Sequence, residues 1–198
     1  MNRISRRMVV AGGLAFAGLG ALPARAMTEA RARALVDQVV ADINRVIASG
    51  KSTGAMIQDF ERIFARYADV SIIAQSALGA DAKRATSAQL RAFTAAFQGY
   101  IARKYGKRFR EFIGGRVEVT GVRKVKSWHE VRARVQLRGS APFDVRFLVS
   151  SRSGRDLFFD MLIEGVSLRL SERAEIGAML DQNGGNIDKL IQTVSRSG

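Results

Sequence analysis

The sequence predicts an α+β fold in which helices come first, an antiparallel sheet follows and helices close the chain. Between residues 28 and about 113, apolar residues recur at the three- and four-residue spacing of helices. From Arg116 the spacing changes to two, as in strands with one buried face, and the short connections between these strands require an antiparallel meander. Helical spacing returns after Ser171. This segregated order is typical of α+β domains.

The composition limits the possible classes of function. With 198 residues, 47% hydrophobic and 25% charged, the chain can form one well-packed core, and neither repeats nor a linker divide residues 27–198. It has no cysteine and a single histidine, His129. Disulfides, thiol catalysis, cysteine-bound zinc and histidine-rich metal sites are therefore excluded, and we expect no cofactor.

Residues 1–26 have the features of an export signal. A positive head is followed by a weakly apolar run from Met8 to Leu22, and Ala24-Arg25-Ala26 places a cleavage site before Met27. The Ser5-Arg6-Arg7 segment also resembles a twin-arginine signal, so both that route and the general secretory route remain open. Cleavage removes four arginines and lowers the formal net charge from +14 to +10.

Helix signals divide the first half of the chain. Thr28 can cap a helix that runs to about Ser49, and a second helix is predicted from about Ala55 to Tyr67. A short third helix spans 70–78 and ends at Gly79. Thr86 and Gln89 then form a capping box for the longest helix, which we expect to end at 114–115.

The longest helix carries an aromatic stripe. Its apolar positions are Leu90, Phe93, Phe97, Tyr100, Ile101, Tyr105, Phe109 and Phe112. Such a stripe is more often core than ligand contact, and the sequence does not separate the two.

The alternation of apolar and polar residues predicts three strands. The first begins with Val117 and Val119, the second places its apolar residues at 131, 133, 135 and 137, and the third at 143, 145, 147 and 149. His129 and Trp128 are predicted to lie in the turn before the second strand.

The most apolar stretch of the mature chain, residues 157–168, is predicted as a central strand. Strict alternation places Phe159, Met161 and Ile163 on one face and Phe158 and Leu162 on the other. Gly165 permits a bend there. Ser171 is expected to cap a helix through residue 180, and a last short helix spans 187–194.

Several groups of residues occur in an order and spacing that resemble one known family. They are Tyr67-x-Asp69-Val70, Gln89-x-x-x-Phe93-x-x-x-Phe97, Phe159-Asp160-x-x-x-Glu164-Gly165-Val166-Ser167-Leu168 with Arg173, and the Gly-Gly-Asn-Ile-Asp-Lys-Leu run from residue 184. The ordered set spans nearly all of residues 30–194. It resembles the MlaC-type (toluene-tolerance) family, periplasmic phospholipid-binding proteins of the Mla (maintenance of lipid asymmetry) ABC transport system. Ser171-Glu172 departs from the family pattern.

The resemblance implies a curled antiparallel sheet of four to five strands, of the nuclear-transport-factor-like kind, packed with N- and C-terminal helices around an apolar cavity. It further implies a monomeric periplasmic carrier that binds phospholipid as cargo and catalyses no reaction. Its implied partners are an outer-membrane lipoprotein complex and the MCE-domain subunit of an inner-membrane ABC transporter.

The expected lining of that cavity combines the aromatic stripe with inward strand positions. The candidate lipid-binding residues are Phe60, Phe64, Phe93, Phe97, Ile101, Val135, Phe147, Phe159, Met161, Ile163 and Val166. Arg132 and Arg134, on the predicted outer face of the sheet, are candidates for docking to lipid head groups or to acidic partners. A solvated surface is the alternative explanation for both arginines.

Two other functions are weaker. A curled sheet can host acid/base chemistry, and Asp160 and Glu164 would share the face opposite Phe159, but pairing with an arginine is the simpler role for them. Nucleic-acid binding is suggested by charge alone, no recognition motif accompanies the arginines, and export separates the chain from nucleic acid.

Overall fold

The structure is a computed structural model that describes residues 27–198, apart from the side chains of Phe109 and Arg110. The predicted export signal, residues 1–26, lies outside this range. The described helices are α1 (Glu29–Ile47), α2 (Thr53–Tyr67), α3 (Val70–Leu78), α4 (Ser87–Gly106), α5 (Leu168–Gln182) and α6 (Ile187–Arg196). The strands are β1 (Arg116–Val125), β2 (Trp128–Gln136), β3 (Phe143–Ser150), β4 (Leu157–Ile163) and β5 (Val166–Ser167). The predicted α+β class is confirmed.

The helices begin where side chains satisfy their first backbone N–H groups. Thr28 caps α1, Ser52 caps α2, and Thr86 with Gln89 forms the predicted capping box of α4. Helix α4 ends at Gly106, earlier than predicted, and a 3-10 segment (Lys107–Phe112) continues to the sheet. A Cβ at Gly106 would lie 2.9 Å from Cγ1 of Ile57, so glycine allows α2 and α4 to approach closely at this point.

The sheet is an antiparallel meander in the order β1-β2-β3-β4-β5. A bulge at Thr120 interrupts the β1–β2 register, and a second interrupts the β3–β4 register. Bulges bend a strand and increase its twist, so the sheet curls without closing. Helix α1 lies along β1 and β2, α2 packs against α4, and the main core lies between these helices and the inner face of the sheet.

The bulge in β4 changes the predicted faces of that strand. Val149 pairs with Phe158 and Leu148 pairs with Asp160, which leaves Phe159 without a partner position on β3. Phe158, Met161 and Ile163 consequently share the inner face, and the strict alternation predicted for this stretch is wrong. One inserted residue reverses the face of every residue beyond it.

The predicted central strand also ends earlier than expected. Glu164 (φ 51°) and Gly165 (φ 84°) form a two-residue hairpin loop in which both residues have positive φ, as in a type I′ turn, and Ile163 pairs with Val166 across it. Ser167 then accepts a hydrogen bond from the Leu170 backbone N–H and caps α5. Helix α5 therefore begins at Leu168, and the prediction of Ser171 as its cap is wrong.

Candidate functional site

An apolar cavity of about 230 Å³ lies between the helices and the inner face of the sheet. Its helical wall is formed by Val39, Ile43, Phe60, Ile63, Phe64, Ile101, Tyr105, Arg108, Glu111, Phe112 and Leu168. Its sheet wall is formed by Val117, Val135, Leu137, Phe143, Val145, Phe147, Phe158, Met161 and Ile163. Such a lining has few polar groups that need a partner, which suits an apolar ligand.

The structure brings seven of the eleven candidate lipid-binding residues together around this cavity. They are Phe60, Phe64, Ile101, Val135, Phe147, Met161 and Ile163. These side chains come from α2, α4 and three strands, so the cavity exists only because the helical layer lies across the sheet. Their role in binding lipid stays a prediction.

Phe93 and Phe97 are fully buried but do not line the cavity. Their rings pack against each other at 5.8 Å between centroids, and Phe97 packs against Tyr100 at 6.1 Å. Helix α4 contacts α2, α3 and α6, so it is buried on more than one side. Its aromatic stripe is mainly core, and only its C-terminal part, at Ile101 and Tyr105, reaches the cavity.

Phe159 and Val166 also lie away from the cavity. The bulge turns Phe159 to the outer face, where its ring packs edge-on against Trp128 at 6.1 Å and beneath the Arg169 guanidinium at 5.7 Å. Val166 follows the hairpin turn and is 62% exposed. The placement of both residues in the lining was wrong because the sequence shows neither the bulge nor the hairpin.

Phe158 lines the cavity, although strict alternation places it on the opposite face. It is 5% exposed, and its ring centroid lies 5.6 Å from that of Phe147 on β3 and 6.2 Å from that of Phe64 on α2. The alternation of β3 does point to Phe143 and Val145 as lining residues, since Phe147 shares their face. No local signal points to Phe158.

Two lining residues in the 3-10 segment have exposed side chains, from which we infer that the cavity meets solvent there. Arg108 and Glu111 line it there, with side chains 66% and 53% exposed, and they form an ion pair of 3.3 Å between Nη2 and Oε2. They are the only charged side chains among the described lining residues.

A buried polar network lies behind the cavity wall at Tyr105. The Tyr105 hydroxyl donates a 2.6 Å hydrogen bond to Oε1 of Glu172, which also accepts a 2.9 Å bond from Nζ of Lys104. Burial, together with the bond to Glu172, raises the pKa of Tyr105 well above its ordinary value. The hydroxyl stays protonated and can act as a donor. The network joins α5 to α4 and keeps the cavity side of Tyr105 apolar.

Comparison with known proteins identifies the family. A family model described as MlaC protein matches residues 33–196. The chain belongs to the MlaC family. Among curated protein sequences, the comparison gives no match.

The fold of this MlaC-family chain is shared with solved structures, among them one that contains a bound phospholipid. It is the phospholipid-binding protein from Ralstonia solanacearum, determined in complex with a phospholipid. The two chains are 20% identical over 82% of this chain and 94% of that one, with a TM-score of 0.71. At this identity the likeness establishes the fold.

On the outer sheet face of this MlaC-family chain, both candidate docking arginines pair with carboxylates. Nε of Arg132 lies 3.3 Å from Oε1 of Glu130, and Nε of Arg134 lies 3.2 Å from Oδ1 of Asp144. Both arginine side chains remain more than half exposed. They are accessible to a partner, but each is partly neutralised.

The residues considered for acid/base chemistry do not form a reaction centre. Asp160 is 3% exposed and accepts hydrogen bonds from the Ser167 hydroxyl (2.7 Å) and the Arg169 backbone N–H (3.1 Å), which fixes the start of α5. Glu164 is exposed in the hairpin loop. His129 lies within β2 on the inner face, opposite to Asp160, so its prediction in a turn is wrong. The loop before it consists of residues 126–127.

Residues 27–198 lack two features, a membrane-spanning helix and a metal-binding cluster. No helix there combines the length and apolarity needed to cross a bilayer. No group of three or more His, Asp or Glu side chains in the same range is arranged to hold a metal ion.

Proposed function

We propose that this chain is a monomeric periplasmic carrier of phospholipid that binds acyl chains in the apolar cavity and performs no chemistry on them. The observation that carries the proposal is the cavity itself, whose only charged lining residues among those described, Arg108 and Glu111, lie where it meets solvent. Membership of the MlaC family supports it. The solved relative of the same fold holds a phospholipid, which is consistent with this use of the fold.

The physical chemistry of transfer determines what such a carrier requires. Each methylene removed from water contributes about 0.8 kcal/mol, but a bilayer offers a tail the same gain. The free energy of burying the acyl chains is therefore nearly the same in the membrane and in the cavity. Direction must come from partners, for which we propose an outer-membrane lipoprotein complex and the MCE-domain subunit of an inner-membrane ABC transporter. The signal-like residues 1–26 would deliver the chain to the periplasm between them, with cleavage after Ala26.

Lipid content tests the binding step directly. The mature chain, purified from cells, is extracted with organic solvent, and the extract is analysed by mass spectrometry. We expect about one phospholipid per chain. Reproducible absence of lipid from the folded protein, both as purified and after incubation with vesicles, contradicts the proposal.

Two matched variants link the lipid to the cavity. Met161→Glu places a carboxylate on the inner face, where an acyl chain cannot satisfy it, and should abolish lipid retention. Leu162→Glu makes the same kind of change at the adjacent residue on the outer face and should retain lipid. Equal lipid content in the two folded variants would place the lipid elsewhere.

Charge reversal tests the docking surface. Arg132→Glu with Arg134→Glu should slow association with the MCE-domain subunit and reduce the salt dependence of that association. A control with Arg152→Glu and Arg196→Glu changes the net charge equally at two exposed positions away from the outer sheet face. Equal association rates for the two double variants would exclude Arg132 and Arg134 as a docking site.

A further inference from the structure

The ion pair at the edge of the cavity has a specific chemical consequence. Arg108 and Glu111 lie three residues apart in the 3-10 segment, with Nη2 and Oε2 at 3.3 Å, and both are more than half exposed. The other described lining residues are apolar except for Tyr105, whose hydroxyl is already bonded to Glu172. A phospholipid whose tails enter the cavity therefore meets one cation and one anion within reach of its head group.

The two charges are complementary to a head group that carries both signs. A phosphodiester pairs with a guanidinium through charge-assisted hydrogen bonds, and a primary ammonium donates such bonds to a carboxylate. A head group with both groups can replace the Arg108–Glu111 pair with two pairs of its own and leave no charge unmatched. A glycerol head group gives Glu111 no opposite charge, and a quaternary choline has no N–H to donate.

On the basis of the proposed carrier function, we propose that Arg108 and Glu111 select phospholipids with a primary ammonium in the head group, such as phosphatidylethanolamine. Arg108 receives the phosphate and Glu111 receives the ammonium. Elsewhere the chain is strongly basic, with a formal charge of +10 after signal removal, which by itself favours anionic lipids. That field is screened over about 8 Å at physiological ionic strength, whereas groups in contact are screened much less. Contact at Glu111 therefore decides between head groups.

Competition between head groups tests the selection. Delipidated mature protein is incubated with vesicles of equal parts phosphatidylethanolamine and phosphatidylglycerol, re-isolated, and its lipid is quantified by mass spectrometry. We expect phosphatidylethanolamine to be enriched about two- to fivefold over its share in the vesicles, the range that one exposed ion pair supports. Vesicles with phosphatidylcholine in place of phosphatidylglycerol should give enrichment in the same direction.

Two matched charge variants distinguish direct contact with the head group from the effect of the overall charge of the protein. Glu111→Lys should remove the enrichment and favour phosphatidylglycerol. Glu118→Lys makes the same charge change on β1, at an exposed side chain paired with Arg116 outside the cavity lining, and should leave the enrichment unchanged. Both side chains are more than half exposed, so both variants should fold, which circular dichroism checks.

The possible outcomes are distinct. Uptake in the vesicle ratio by the native chain, or equal shifts in the two variants, overturns the head-group selection and leaves the carrier function intact. Absence of lipid from all three proteins overturns the carrier function, and the selection with it.

Discussion

At the scale of single residues, Glu172 shows how a charged group can be part of this core. Its side chain is fully buried, and Oε1 accepts hydrogen bonds from Nζ of Lys104 and the hydroxyl of Tyr105. Lys104 also contacts Glu175. Burial raises the pKa of Glu175, but hydrogen bonds from Lys104 and Tyr100 together lower it by more, so the net shift of this pKa is downward. The cluster joins α5 to α4 through side chains.

Removing Glu172 should destabilise the fold more than removing its neighbour. Glu172→Ala leaves the buried Tyr105 hydroxyl without its acceptor and removes one of the acceptors of Lys104, and we expect the free energy of unfolding to fall by about 3–5 kcal/mol. Glu175→Ala, at a side chain that is 43% exposed, should cost about 1 kcal/mol. Urea denaturation measures both. Comparable losses would mean that Glu172 is not the centre of the cluster.

The lowered pKa of Glu130 predicts that the fold loses part of its stability in acid. Hydrogen bonds from Arg123, aided by Arg132 and by the charge of Arg146, hold the pKa of Glu130 below its ordinary value of 4.5. The unfolded state then binds a proton more readily than the folded state. The resulting stability is present above about pH 4.5 and is lost as the pH falls through the lowered pKa.

Replacing this carboxylate should flatten the acid response. In Glu130→Gln, the difference in unfolding free energy between pH 7 and pH 3.5 should be smaller than in the native chain. The difference should not vanish, because Asp42 and Asp59 also have lowered pKa values, held down chiefly by Tyr67 and Lys51 respectively. An unchanged difference in urea titrations at the two pH values would contradict this role for Glu130.

At the scale of secondary-structure elements, the bulge in β4 has the largest effect on the site. By leaving Phe159 unpaired, it turns Phe158 into the cavity and Phe159 toward Trp128 and Arg169. It also places buried Asp160 on the outer face, where it holds the first turn of α5. One extra residue thus defines a wall of the cavity and the start of a helix.

Adjacent phenylalanines make this bulge testable. Phe158→Ala removes a buried ring that packs against Phe64 and Phe147, and it should lower the free energy of unfolding by about 3–5 kcal/mol. Phe159→Ala, at a partly exposed outer position, should cost under about 2 kcal/mol. Thermal or urea unfolding gives the order directly. The reverse order would indicate the regular alternation that the sequence predicts.

At the scale of the whole molecule, the cavity volume sets a requirement on lipid binding. About 230 Å³ lies below the range of about 300–1,000 Å³ typical of ligand pockets. A lipid with two acyl chains therefore requires the helical layer and the sheet to move apart. The described helices contact the inner face mainly through side chains, and one backbone hydrogen bond of 2.8 Å, from the Asp69 N–H to the Phe158 carbonyl, joins the two layers.

Loading should stabilise the protein through binding to the folded state alone. At a free lipid concentration about one hundred times Kd, the gain is about 2.7 kcal/mol, which raises the Tm of a domain of this size by about 5–10 °C. Differential scanning calorimetry of delipidated and reloaded protein measures it. The Met161→Glu variant should show no such rise, and a rise of equal size in that variant would separate the stabilisation from the cavity.

Much of the fold follows from local sequence. Thr86 and Gln89 form the capping box that their spacing predicts, and α3 spans 70–78 with Gly79 as its cap, as predicted. The alternation of β2 and β3 places Val135 and Phe147 inward and Arg132 and Arg134 outward, as expected. These features depend on contacts within a few residues or between adjacent strands, so a single sequence contains them.

Other features depend on contacts between distant segments. Whether Phe97 or Ile101 faces the cavity depends on how α4 packs against α2, α3 and α6, and both residues are equally apolar in the sequence. The inward position of Phe158 depends on a register shift against β3. Composition and periodicity therefore determined the class of fold, the basic net charge and the presence of an apolar interior. Only the tertiary structure decided that a cavity remains between its layers and which side chains line it, because an empty volume is set by how separate elements fit together.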